Sequence, residues 1–104
     1  MSVAQRVEHN LKNFAFLIRM ADSSNAVLEY KKHPKSIIEM YHTEVPQQHR
    51  GKGLAEKLVK EAFKYCLENK YKVYPTCTYV AKYSKQFATE EEKSIVVDQL
   101  NKSN

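Results

Sequence analysis

The chain has 104 residues, 17 Lys+Arg against 12 Asp+Glu, a formal net charge of +5, 42% hydrophobic and 11% aromatic residues. That length predicts one domain over 1–104 that buries roughly 60–70% of its unfolded surface, and the composition excludes disorder. No apolar run approaches the ~18 residues of a membrane span, Met1 opens no secretory leader, and two cysteines, Cys66 and Cys77, are too few for a disulfide scaffold, so the expected setting is a reducing intracellular one, cytoplasmic or nuclear, with no membrane partner.

Arg6 to His9 and Phe14 to Met20 read as strands around an Asn10–Asn13 turn, with Phe14, Phe16, Ile18 and Met20 on one face. After the polar turn Asp22-Ser23-Ser24-Asn25, a third strand runs from Ala26 to Lys31, and Pro34 marks the next turn. Ile37 to Val45 is a fourth strand, stopped by Pro46. Short loops join these strands into an antiparallel meander. From Gly53 the period becomes helical. Leu54, Leu58, Ala62 and Cys66, with Ala55, Val59, Phe63 and Leu67, form one apolar stripe up to Glu68, while Glu56 and Lys60 form an i,i+4 pair on the wet face. Lys72 to Thr78 reads as a fifth strand, with Pro75 at an edge or bulge. A right-handed crossover through the helix sets it parallel to the fourth. Tyr79 to Phe87 is a short helix, and the capping box that begins at Thr89 opens a last helix to about Leu100, followed by a frayed tail. The fold class is α+β.

The chemistry points to Gln47–Gly53, which holds the chain's two glycines, Gly51 and Gly53, where an average protein of this length has about seven. A strand that ends at Pro46 and a helix that begins at Leu54 leave the first helical N–H groups facing this loop. Two readings stand on spacing alone: a glycine-bearing turn before a helix, or an anion cradle of backbone amides and helix dipole, with Arg50 and Lys52 beside it. Walker A fails because Gly53 follows Lys52, and the dinucleotide fingerprint fails because Glu56 stands where glycine is needed. The scattered lysines fit a solvated surface or general attraction to an anionic ligand, and no basic run or basic–aromatic stripe marks a nucleic-acid partner. His9, His33, His42, His49 and the cysteines show no paired spacing for zinc, so no metal is expected.

Gln48-His49-Arg50-Gly51-Lys52-Gly53 resembles the Q/R-x-x-G-x-G/A motif of the GNAT N-acetyltransferase superfamily, and it falls between the fourth strand and the central helix as in that fold. With Arg6-Val7-Glu8-His9, His42-Thr43-Glu44-Val45-Pro46 and Thr76-Cys77-Thr78-Tyr79-Val80, followed by Lys82-Tyr83, the chain from about residue 5 to about residue 97 looks like that superfamily's small single-domain branch, N-acetyltransferase domain-containing protein 1. The resemblance implies a minimal GNAT fold that binds acetyl-coenzyme A and transfers acetyl to an amine, such as a protein lysine or N-terminus. Gln48 opens the motif, and the N–H groups of Arg50, Gly51, Lys52, Gly53, Leu54 and Ala55 hold the pyrophosphate. The backbone of Thr43, Glu44 and Val45 pairs with pantetheine, and a fourth-strand N–H polarises the thioester carbonyl. The candidate bases are His42 and Glu44, although His42 shares a face with Met40 and Ile38 and reads equally as a packed core histidine. Cys77 in an apolar strand reads as a buried small hydrophobe. The resemblance makes it a nucleophile, which needs thiolate character from a helix N-terminus or from Lys82. Cys66 reads as core. Tyr83 is the implied general acid. The expected chain is a monomer. The alternative activity is an acyl-coenzyme A binding module with little turnover.

Overall fold

A computed structural model of the chain describes residues 6–100. The elements are strands β1 (Val7–Asn10), β2 (Ala15–Arg19), β3 (Asn25–His33) and β4 (Ile37–Glu44), a 3-10 turn at Gln47–His49, helix α1 (Leu54–Glu68), strand β5 (Lys72–Pro75), and helices α2 (Thr78–Gln86) and α3 (Glu90–Lys93). The five strands lie in chain order. β1 to β4 are antiparallel and β5 runs parallel to β4, as the meander and crossover require. The helix read from Leu54 to Glu68 has those bounds, since nothing in it breaks the 3.6 period. Its buried side chains are Leu54, Leu58, Val59, Ala62, Phe63 and Cys66. They meet Phe16, Ile18, Leu28, Tyr30 and Met40 of the sheet, each worth about 1.5–3 kcal/mol when fully buried. α1 touches every strand, and α2 packs on β4, β5 and α1.

Four expectations change. Phe14 does not join the apolar face of β2: its φ is +57°, its ring is 39% exposed, and the strand begins one residue later. β5 ends at Pro75 on the sheet edge, so Cys77 is not a strand residue but the N-cap of α2. The last helix stops at Lys93 rather than near Leu100. The capping box at Thr89 and Glu92 is present, but Ile95-Val96-Val97 is β-branched throughout, and after a turn at Ser94 and Ile95 the chain leaves the helix and Val96 bridges to Val73 of β5. There the Val73 N–H donates to the Ile95 carbonyl at 2.8 Å, and the Val97 N–H donates to the Val73 carbonyl at 2.8 Å, covering the free edge of β5. The tail after Leu100 and the opening residues before Arg6 lie outside the described residues.

The fourth change concerns His42. Strand β4 carries a bulge: Tyr30 pairs with Met40, but Glu29 pairs with His42, so Tyr41 has no partner of its own on β3. A one-residue insertion reverses the side-chain alternation beyond it. Thr43, opposite Leu28, takes the core-facing place that His42 was expected to fill, and His42 is exposed. The core-histidine reading is thereby overturned.

At the far end of the sheet His9 stacks on Phe16 at 3.9 Å, meets Tyr65 edge-on at 4.4 Å and hydrogen-bonds the Tyr30 hydroxyl at 2.6 Å. Burial, and secondarily the Lys32 ammonium, lowers its pKa below the ordinary value of 6.5. The folded chain therefore prefers neutral His9, and the unfolded chain binds more protons below about pH 6.5. The stability from this aromatic nest is complete above that value and is lost as pH falls through the folded pKa. Melting temperatures followed by circular dichroism from pH 7 to pH 5 should fall less steeply in His9→Phe than in the wild type. Parallel curves would remove His9 from the acid response.

Candidate functional site

β4 and β5 stay paired only as far as Met40 and Pro75. The Thr76 and Cys77 amides both turn back to the Met40 carbonyl, at 3.2 and 3.0 Å, which closes the register. Beyond that point β4 continues through His42, Thr43 and Glu44, and among the described residues no strand pairs on its β5 side. The splay opens a cleft of about 670 Å3. Its walls are His42 to Val45, the loop residues His49, Arg50, Gly51 and Gly53, the first turn of α1 from Leu54 to Glu56, and Tyr79 of α2.

The loop has the backbone that its glycines allow: φ is +84° at Gly51 and +76° at Gly53, the latter being the N-cap of α1. Gly53 has no side chain to cap the helix, and among the described residues none of the amides from Gly51 through Glu56 finds an acceptor. A row of unpaired N–H groups at the positive end of a helix of four turns is an arrangement that favours negative charge in general. Arg50 adds charge at the rim, and its Nε donates to the Val45 carbonyl at 3.0 Å, tying the loop to the end of β4.

Most of the residues expected to hold the ligand stand around this cleft: Thr43, Glu44, Val45, Arg50, Gly51, Gly53, Leu54 and Ala55. Gln48 and Lys52 do not line it: Gln48 Nε2 donates to Asp22 Oδ2 at 3.1 Å, and Lys52 Nζ donates to His49 Nδ1 at 3.0 Å. Of the expected catalytic residues, His42 is in the wall, with Nε2 3.4 Å from Glu44 Oε1. Cys77 is half-buried just behind the wall, where Sγ lies 3.3 Å from Thr43 Oγ1 at the N-terminus of α2. Cys66 is fully buried, and burial pushes its thiol up to about 12.

Tyr83 is not brought to the cleft. It is 1% exposed, packs against Phe63 at 5.6 Å, and donates its hydroxyl to Glu92 Oε1 at 3.0 Å. Burial first, and then the Glu92 carboxylate, raises its pKa. Tyr79, one helical turn earlier on the same face, lines the cleft instead, and burial and the Glu56 carboxylate raise its pKa too. His49, Glu56 and Tyr79 are the wall residues to which sequence reasoning gave no role. The signal for Tyr79 was the helix start: with Cys77 as N-cap, the first tyrosine after it falls at the cleft and the second in the core. Among the described residues no group of three His, Cys, Asp or Glu side chains is placed to hold a metal ion, and no helix is long and apolar enough to cross a membrane.

The family model for the GCN5-related N-acetyl-transferase matches residues 14–93. Protein NATD1 of Homo sapiens is 39% identical over 82 residues, 78% of this chain and 73% of that protein. Protein NATD1 of Danio rerio is 38% identical over 87 residues, 83% and 79% of the two chains. Among solved structures, the solution structure of a GCN5-like protein from Staphylococcus aureus superposes with a TM-score of 0.71 at 17% identity, covering 94% of this chain and 93% of that one. A ribosomal-protein-alanine N-acetyltransferase from Brucella melitensis superposes with a TM-score of 0.51 at 17% identity, over 90% and 72%. With a family model matched across most of its length, and the strand order, splayed β4–β5 pair and glycine loop in place, the chain belongs to the GCN5-related N-acetyltransferase family.

Proposed function

We propose that the protein binds acetyl-coenzyme A in the cleft between β4 and α1 and transfers the acetyl group to an amine. The observation that carries this reading is the row of unpaired amides from Gly51 to Glu56 opening on a cleft of about 670 Å3 beside an unpaired strand edge. Those amides suit a pyrophosphate, and the edge of β4 from His42 to Val45 suits the amide-bearing pantetheine arm, which adds to a sheet as a strand would. Bound there, acetyl-coenzyme A supplies an activated acyl thioester.

The chain's own groups supply the rest. An amine attacks only when neutral, and His42 and Glu44, 3.4 Å apart in the wall, are the groups placed to take its proton. Tyr79, whose raised pKa keeps the phenol protonated, is the cleft's proton donor. The Cys77 thiol exchanges with the thioester: the Sγ–acyl bond forms as the bond from acyl to the coenzyme A sulfur breaks, the proton leaving with the free coenzyme A thiol. Attack by the amine then breaks the Sγ–acyl bond, forms the amide and returns the Cys77 thiol, and the place of Cys77 behind Thr43 at the start of α2 supports this step.

Titration calorimetry of the whole chain with coenzyme A should show saturable heat, and the melting temperature should rise with ligand concentration, as for any ligand of the native state. No heat at millimolar coenzyme A would remove this reading. Binding with no acetyl release to any of a broad panel of amines would leave a binding module. Cys77→Ala should keep the affinity for coenzyme A and lower acetyl transfer at least about tenfold; equal turnover would reduce Cys77 to a packing residue.

A further inference from the structure

The cradle loop is held by a residue far from it in sequence. Asp22 lies in the β2–β3 turn. Its Oδ2 accepts from Gln48 Nε2 at 3.1 Å and from His49 Nε2 at 2.9 Å, while its Oδ1 accepts from the Ser24 amide at 3.0 Å and the Ser24 hydroxyl at 2.6 Å. On the other side of the ring, His49 Nδ1 faces Lys52 Nζ at 3.0 Å. An ammonium only donates, so Nδ1 accepts, and Nε2 must carry the proton given to Asp22. A carboxylate, an imidazole of defined tautomer and an ammonium thus run in series from the β2–β3 turn to Lys52. The loop is tied at positions 48, 49 and 52, and Gly51 turns through φ +84° between the ties. The ring of His49 is only 14% exposed, so the middle link is sheltered from water. Hydrogen bonds from Ser24 first, and from Gln48 and His49 after it, hold the Asp22 carboxyl well below the usual carboxylate range, which keeps this anchor ionised.

We infer that Asp22 is a positioning residue of the anion cradle: through Gln48, and through His49 to Lys52, it pre-organises the loop whose amides meet the ligand. The inference rests on the coenzyme A reading of the cleft for its consequence, though not for its geometry. A loop ordered before binding spares the ligand the cost of ordering it, so the brace acts on affinity more than on stability. Asp22, Gln48 and Lys52 are exposed and the imidazole between them is neutral, so the series adds little to folding.

Three variants of the whole chain test this. Asp22→Asn keeps an acceptor for Ser24 but sets an amide donor against two donors. His49→Ala cuts the series in the middle. His49→Gln restores one donor and one acceptor on a single side chain. The dissociation constant for coenzyme A should rise about tenfold in Asp22→Asn and in His49→Ala. Asp22→Asn with His49→Ala should lose about as much as Asp22→Asn alone, since Asp22→Asn already frees both Gln48 and His49 from the anchor, and His49→Gln should recover most of the loss of His49→Ala. Without ligand, the 15N-amide signals of Gly51 to Glu56 should shift or exchange faster in Asp22→Asn. Unchanged amide signals together with unchanged affinity in Asp22→Asn would overturn the inference, as would additive losses or a His49→Gln as weak as His49→Ala. If Asp22→Asn does not fold, the comparison of His49→Gln with His49→Ala decides. If the wild type binds no coenzyme A, the reading of the cleft fails, and the ligand-free amide signals alone decide the brace: shifted, it stands; unshifted, it falls.

Discussion

Gly51→Val should abolish saturable binding of coenzyme A, raising the dissociation constant at least about a hundredfold, while the chain still folds. Two effects combine. At φ +84° a β-branched L-residue is strained by roughly 1–3 kcal/mol, because Cβ and its methyl groups crowd the backbone. In a domain of this size that lowers the melting temperature by roughly 5–15 °C. The strain alone would let the chain refold around a shifted loop. The second effect is occlusion. A Cβ built at Gly51 meets nothing within 4 Å, so the new side chain has no quarrel with the protein. Gly51 is a wall residue of the cleft, so a side chain there is expected to crowd the approach by which a phosphate comes within hydrogen-bond distance of the loop amides. Gly51→Ala separates the two, since it carries the strain with the smallest side chain. An intermediate loss of affinity in Gly51→Ala and complete loss in Gly51→Val, read by calorimetry beside thermal melts, would show both effects. A Gly51→Val chain that melts lower yet binds as the wild type does would show that no ligand phosphate approaches this turn.

The architecture was legible where local signals agree. The α1 stripe, the strand meander, the glycines at positive φ and the Thr89 capping box each rest on residues adjacent along the chain or one helical turn apart. The site was harder to read because it depends on register. Nothing near Tyr41 announces that β4 will give it no partner on β3, yet that extra residue turns His42 outward and Thr43 toward Cys77. The same limit hid Asp22. A polar turn between two strands looks like any other, and its bonds to Gln48 and His49 cross more than twenty residues. The run Ile95-Val96-Val97 was misread because the acidic turn before it began a true helix, whereas its continuation depended on whether the edge of β5 was free to pair.

Tyr79→Phe should lower kcat for acetyl transfer by about a hundredfold or more, the usual worth of a positioned proton donor, with little change in the affinity for coenzyme A. Tyr83→Phe should leave kcat within about twofold and lower stability by about 1 kcal/mol, the net value of a buried hydrogen bond. The contrast follows from the placement of two phenols one turn apart on one helix face. Tyr83 reaches inward, where its hydroxyl and the Thr89 amide share Glu92 Oε1, each at 3.0 Å, so its bond joins α2 to the capping box of α3. Removing that hydroxyl leaves Glu92 with the Thr89 amide still bound, and the carboxylate is not orphaned. Tyr79 sits in the cleft wall, held protonated by burial and by Glu56. Either carboxylate raises the pKa of its tyrosine, so the acidity of the phenol does not distinguish the two positions; access to the cleft does. Steady-state rates beside thermal melts for both variants separate the roles. A Tyr83→Phe chain as stable as the wild type but without turnover would return the proton-donor role to Tyr83, and it would require α2 to turn its core face toward the cleft during the reaction.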